Sequence, residues 1–161
     1  MPILRELKEA LDQANISYEV HTHPQAYTAQ EIAAAQHVSG KKMTKVVILK
    51  LDGSLAMAIL PANGSIDFEK VKSALAVKDA SLATEEEFAS LFPGCELGAM
   101  PPFGNLFGLP VYVDPALEKD EVIYFNAGNH QQTVEMKYRD FKEIVKPKAV
   151  PISPERKKKA A

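Results

Sequence analysis

A chain of 161 residues, 46% hydrophobic and 25% charged, is long enough for one domain with a sizeable core and has the balance of an ordinary globular protein, not of a disordered or membrane-embedded one. Its apolar stretches are too short to cross a bilayer, and Arg5, Glu6, Lys8 and Glu9 interrupt the first of them, so no secretory leader is expected and the cytoplasm is the expected compartment. A formal charge of -2 argues against generic polyanion binding, so neither DNA nor a membrane is expected as a partner, and the single Cys95 rules out an internal disulfide.

In chain order, Ile3, Leu4, Leu7, Leu11 and Ala14 recur at helical spacing and Asn15 stands where that helix stops. Tyr18, Val20 and Thr22 alternate with Glu19, His21 and His23 as a short strand that Pro24 ends. Thr28-Ala29-Gln30-Glu31 has capping-box spacing and opens a second helix that Gly40 closes. Thr44 to Leu51 and Ser54 to Leu60 flank Asp52-Gly53, the preferred pair for a type I′ hairpin. Asp67 caps a helix through Leu75, and Thr84-Glu85-Glu86-Glu87 caps another that Phe92, Pro93 and Gly94 close. A glycine- and proline-rich loop follows, Gly98 to Gly104, and then Leu109 to Val113, Val122 to Phe125 and Gln132 to Met136 read as strands pairing mostly antiparallel. A last helix runs from Tyr138 to Val145. Residues 148–161, with Pro151, Pro154 and Arg156-Lys157-Lys158-Lys159, lack a periodic apolar face and are expected to be a disordered basic tail. The fold expected is α+β, one domain with a central mixed, mostly antiparallel curved sheet surrounded by helices.

Few residues invite chemistry. Lys45 lies on a strand with apolar neighbours on both faces, so its ammonium either reaches solvent at the strand end or meets an anionic or carbonyl-rich ligand. His130, in Ala127-Gly128-Asn129-His130, reads as a turn histidine at a rim, facing either a ligand or solvent. His21 and His23 share a strand face, but no neighbouring cysteine or carboxylate cluster completes a zinc set, and no metal is expected. Cys95 has no assignable base, and there is no Gly-x-Ser-x-Gly elbow, P-loop or dinucleotide fingerprint, so covalent catalysis and nucleotide cofactors lack support.

Lys45 at the head of Lys-Val-Val-Ile-Leu-Lys, the Gly98-x-x-x-Pro102 loop running into Phe103-Gly104, Gly108-Leu109-Pro110-Val111-Tyr112-Val113-Asp114, and Ala127-Gly128-Asn129-His130 together resemble the YbaK/ProX family. These are freestanding relatives of the editing domain inserted in bacterial prolyl-tRNA synthetases. The resemblance implies an editing domain over residues 1–147 that hydrolyses the ester of a mischarged tRNA, a small amino acid on tRNA-Pro, without a cofactor. It assigns Lys45 and Gly98 to catalysis, and Ala99, Met100, Pro101, Pro102, Gly128 and His130 to substrate binding. The mischarged acceptor end is the implied partner, with prolyl-tRNA synthetase a further candidate. A noncatalytic protein that binds a ligand or a tRNA end through the same pocket is the alternative. Val46 follows the lysine where alanine-specific relatives often carry asparagine, which leaves the choice between alanyl- and cysteinyl-prolyl-tRNA open.

Overall fold

The computed structural model describes residues 3–22 and 43–154. Helix α1, Arg5–Gln13, buries Leu7 and Leu11 and keeps its charged residues outward, as the apolar spacing requires. Strand β1, Tyr18–Thr22, follows. The expected helix from Thr28 to Gly40 lies outside the described residues. Strands β2, Thr44–Leu51, and β3, Ser54–Pro61, pair antiparallel across Asp52 and Gly53, whose φ values of 48° and 86° are those of a type I′ turn.

Helix α2, Phe68–Leu75, begins where the Asp67 side chain accepts the Glu69 and Lys70 amides. Strand β4, Ala80–Leu82, was not apparent in the amino-acid pattern; two of its three residues are exposed. Thr84 and Glu87 form the expected capping box, but α3 covers only Glu85–Phe88 before a 3-10 turn, Ala89–Leu91. Strands β5, Val111–Val113, β6, Val122–Asn126, and β7, Gln132–Lys137, lead to α4, Tyr138–Val145, and the two-residue β8, Lys148–Ala149.

These strands form ladders in the orders β1-β7-β6 and β4-β2-β3-β5-β8. A parallel bridge between Met43 and Tyr124 joins them, reinforced by the Thr44 hydroxyl donating to the Tyr124 carbonyl at 3.0 Å. One curved surface therefore runs β1-β7-β6-β2-β3-β5-β8, with β4 beside the far end of β2. The β1–β7, β6–β7, β2–β3 and β2–β4 ladders are antiparallel, the mixed and mostly antiparallel sheet expected.

Two expectations are corrected. β5 pairs parallel with β3 and with β8, because the long connections before it let the chain return in the same direction. Residues 148–154 are not a disordered tail: β8 adds an edge strand, and Val150 and Ile152 are buried against Leu49, Leu60 and Val71. Two alternate apolar residues suffice there because the segment docks on a sheet edge, as a strand does, and needs no helical face. Residues 155–161 lie outside the described residues.

The sheet separates two cores. One face of β6, β7, β2 and β3, with Phe125, Val134, Ile48 and Met57, packs with α1 and α4; Phe103, Phe125 and Phe141 sit there with ring centroids 5.5 and 5.6 Å apart. On the opposite face Leu49, Ala58 and Leu60 pack beneath α2 and the 150–152 segment. No helix among the described residues is long and apolar enough to cross a membrane.

Candidate active site

Lys45 stands at the start of β2, opposite Leu60, on the face away from the Phe103 core. The bridge from Met43 to Tyr124 fixes how this face continues onto β6: bridged residues point the same way, and alternation then puts Lys45 and Asn126 on one face with Tyr124. Lys45 is half-buried, and burial is what pushes its ammonium below the ordinary lysine pKa; among the described residues it has no ion-pair partner. Both faces of β2 are largely covered, as its apolar run suggested.

The glycine-proline loop reaches the same end of the sheet. The Gly128 amide donates to the Ala99 carbonyl at 2.9 Å and the Glu96 amide to the Gly128 carbonyl at 2.8 Å, so residues 96–99 lie against the turn that follows Asn126. Gly98 has φ +87°, and a methyl group built on it would sit 3.5 Å from Nε2 of His130. Gly128 has φ +102°, and its missing side chain admits Leu4, whose Cβ would lie 3.0 Å from a Cβ there. A left-handed backbone and a close approach thus coincide at Gly128.

The structure brings Gly98, Ala99, Gly128 and His130 together; Lys45 stands on β2, beside the β6 strand that leads into this turn. Met100, Pro101 and Pro102 turn inward and are buried; Met100 packs in the Phe103 core, and its Sδ accepts the Gly98 amide at 3.3 Å. A thioether is a weak acceptor, so that amide is the donor in the loop most easily transferred to a substrate carbonyl. The Ala99 amide is already donated to the Glu96 carbonyl at 3.1 Å.

His130 is not the rim residue its turn position suggested. It is 5% exposed, because the 96–99 loop arrives over the turn, and its Nδ1 lies 2.7 Å from Oε2 of Glu96. That pairing orients the ring and presents Nε2 toward Gly98. Glu96 escaped the sequence reading because nothing local links it to a turn more than thirty residues away.

Asn126 and Thr133 were also missed. They are register partners on β6 and β7, both buried, and Oδ1 of Asn126 has no hydrogen-bond donor among the described residues. An asparagine ending a strand reads as turn chemistry; only the pairing shows that it faces the Lys45 side. Beyond them, Nε2 of His21 lies 2.9 Å from Oε1 of Glu135 and 3.7 Å from Oε2 of Glu19; Glu19 shares a face of β1 with His21, and Glu135, distant in sequence, is brought there by the β1–β7 pairing. These three present donor atoms within 4.8 Å of one another, close enough to hold a cation, although Glu19 is 70% exposed. His23 lies outside the described residues.

Cys95 is held inert, its thiol pushed up to about 11 by burial and by the nearby Glu6. The remaining groups, a half-buried ammonium, a left-handed glycine offering an amide, and a carboxylate-held histidine, can bind and polarise an activated ester but offer no covalent nucleophile. Groups of this kind suit a hydrolase of activated esters that works by positioning and electrostatics.

Comparison with known proteins gives that class its family. Residues 23–144 match the aminoacyl-tRNA editing domain, and the chain belongs to that family. It is 30% identical over 145 residues, 87% of this chain and 86% of the other, to the multifunctional Ser/Thr-tRNA deacylase ProXp-y of Escherichia coli K12. It is 31% identical over 113 residues to the proline–tRNA ligase of Bacillus subtilis, covering 69% of this chain but 20% of the ligase. Among solved structures, a candidate trans-editing enzyme for prolyl-tRNA synthetase superposes with a TM-score of 0.81 at 18% identity, covering 94% of this chain and 96% of the other. The hypothetical protein APE2540 superposes with a TM-score of 0.83 at 21% identity, covering 93% of this chain and all of the other. These last two establish the shared fold.

Proposed function

We propose that this protein is a trans-editing aminoacyl-tRNA deacylase, acting in the cytoplasm on tRNA that carries the wrong small amino acid, with tRNA-Pro the first candidate. Membership of the editing-domain family supports the reaction class. The observation that supports the site assignment is Lys45: an ammonium held half-buried with no ion pair among the described residues, on the strand beside β6, which leads into the turn that residues 96–99 lie against. Such a charge is costly to keep without a counter-ion, and the terminal phosphate of a tRNA supplies one.

In this reading water adds to the ester carbonyl, the bond to the ribose oxygen breaks, and the products are a free amino acid and a tRNA with a free terminal hydroxyl. Lys45 anchors the acceptor end. The Gly98 amide leaves Met100 Sδ and donates to the carbonyl oxygen as negative charge develops. His130 and Gly128 line the pocket wall. The substrate's own neighbouring ribose hydroxyl activates the water, which accounts for a site without an evident protein base.

Selectivity follows from pocket size, since editing admits a small side chain and excludes the cognate one. The relative named for Ser/Thr-tRNA deacylation brings seryl and threonyl esters into the panel alongside alanyl, cysteinyl and prolyl ones. Relatedness to proline–tRNA ligases supports prolyl-tRNA synthetase as a docking partner that adds affinity for tRNA. The test is deacylation of this panel by wild type and Lys45→Ala. A selective activity that disappears in the variant supports the reading, and saturable binding of the acceptor end without turnover replaces it with a binding role.

A further inference from the structure

The face that carries Lys45 is electrically lopsided. His21 pairs with Thr133 and Thr133 with Asn126; one step along, Glu19, Glu135 and Tyr124 stand in the same cross-strand relation. Residues in register share a face, so all of these look out on the Lys45 side, opposite the Phe103 core. The β2 end of this strip is cationic and the β1 end anionic. Glu19 and Glu135 are direct partners on neighbouring strands, a like-charge opposition that costs stability unless something positive relieves it. The His21 ring reaches both, its Nε2 lying 3.7 Å from Glu19 and 2.9 Å from Glu135, and Tyr124 stands opposite Glu135 on the other side.

Between the two ends lies Asn126. It is 8% exposed and its Oδ1 is buried without a donor among the described residues, a condition shared there by the Tyr138 and Ser153 hydroxyls alone. A buried acceptor of this kind points to a donor that arrives with a ligand. On the deacylase reading the ligand is an aminoacyl ester, which carries phosphate and ribose on one side of its carbonyl and a free α-ammonium on the other. That polarity matches the strip.

We propose that Oδ1 of Asn126 accepts a hydrogen bond from the substrate's α-ammonium, with Glu135 and Glu19 supplying the negative field, so that the enzyme hydrolyses esters with a free amine and discriminates against N-acylated ones. A ribose hydroxyl could satisfy the amide oxygen, but being neutral it gains nothing from the two glutamates. The inference rests on the deacylase reading, adding to it a substrate requirement and two specificity residues.

The experiment compares alanyl- and seryl-tRNA with their N-acetyl counterparts, using wild type, Asn126→Ala, Asn126→Asp and Glu135→Gln, each checked for an unchanged melting temperature. Wild type is expected to favour the free amine by about tenfold or more in kcat/KM, the size of one charge-assisted contact. Asn126→Ala and Glu135→Gln are expected to narrow the gap to within about threefold by slowing the free-amine ester. Asn126→Asp, which keeps an acceptor and matches the shape, retains the preference and carries the test should Asn126→Ala fail to fold.

Equal wild-type rates on free and N-acetylated esters overturn the proposal. So does an Asn126→Ala defect of equal size on free-amine and N-acetylated esters, which would make another substrate group the donor. If no ester is hydrolysed above the Lys45→Ala background, the deacylase reading fails, and this proposal with it.

Discussion

The imidazole of His130 and the carboxylate of Glu96, 2.7 Å apart, tie the glycine-proline loop to the β6–β7 turn and hold Gly98 against the ring. Neither residue alone fixes the loop. The hydrogen-bond partner comes from the loop itself, so the histidine acts on the loop's position as well as on whatever enters the pocket.

Glu96→Ala is therefore expected to lower kcat/KM about ten- to a hundredfold by letting the Gly98 amide drift from its working position. Glu96→Gln retains an oxygen acceptor for a protonated Nδ1 and is expected to recover most of that loss. Single-turnover deacylation of both variants checks this, and equal loss in both would show that charge, not position, is what Glu96 provides.

Gly98→Ala forces a side chain onto φ +87°, a conformation that costs an L-residue about 1–3 kcal/mol, although the space toward His130 is ordinary contact at 3.5 Å. The loop should relax away from that angle and activity fall, while the melting temperature changes little because Gly98 is exposed and outside the core. Parallel thermal melts and rate measurements separate the two effects.

The 148–154 segment is a structural part of the domain. Ile152 is 1% exposed against the Leu49–Leu60 core, so Ile152→Ala is expected to cost about 2–4 kcal/mol in denaturant unfolding. Truncation after Pro147 should destabilise the protein further, since it also removes β8 from the edge beside β5. A truncated chain as stable as the full one would contradict the packing.

Acid sensitivity has an identifiable contributor. Glu87 is held down at about 2, first by the hydrogen bond from the Lys50 ammonium at 2.7 Å and then by the Thr84 amide. A folded-state pKa below the unfolded value of about 4.3 contributes stability that is complete above that value and is lost as pH falls toward 2. The melting-temperature gap between wild type and Glu87→Gln should therefore shrink between pH 5 and pH 2, flattening in high salt because the pair is at the surface.

How much of this could be read from the residues alone depended on how local the cause was. Helices α1 and α4 and the Asp52-Gly53 hairpin follow from apolar spacing, capping and turn chemistry within a few residues, and they lie where expected. The parallel setting of β5 and the docking of Val150 and Ile152 depend on partners far along the chain, which a three-residue strand cannot specify. The same divide runs through the site. Lys45 and Gly98 announced themselves by an ion in an apolar strand and by a glycine-proline cluster. His130 was misplaced to a rim because its cover, Glu96 to Ala99, comes from more than thirty residues away. Asn126 became visible only through its register with Thr133 and its face shared with Lys45.

The central claim is that Lys45 anchors the acceptor end of a mischarged tRNA for hydrolysis. The most direct measurement is the deacylation rate of alanyl-, cysteinyl-, seryl-, threonyl- and prolyl-tRNA by wild type and by Lys45→Ala at matched folded concentrations. The account predicts selective turnover of a small, non-cognate ester by wild type and its loss, about a hundredfold or more, in the variant. Undiminished turnover by folded Lys45→Ala would contradict it.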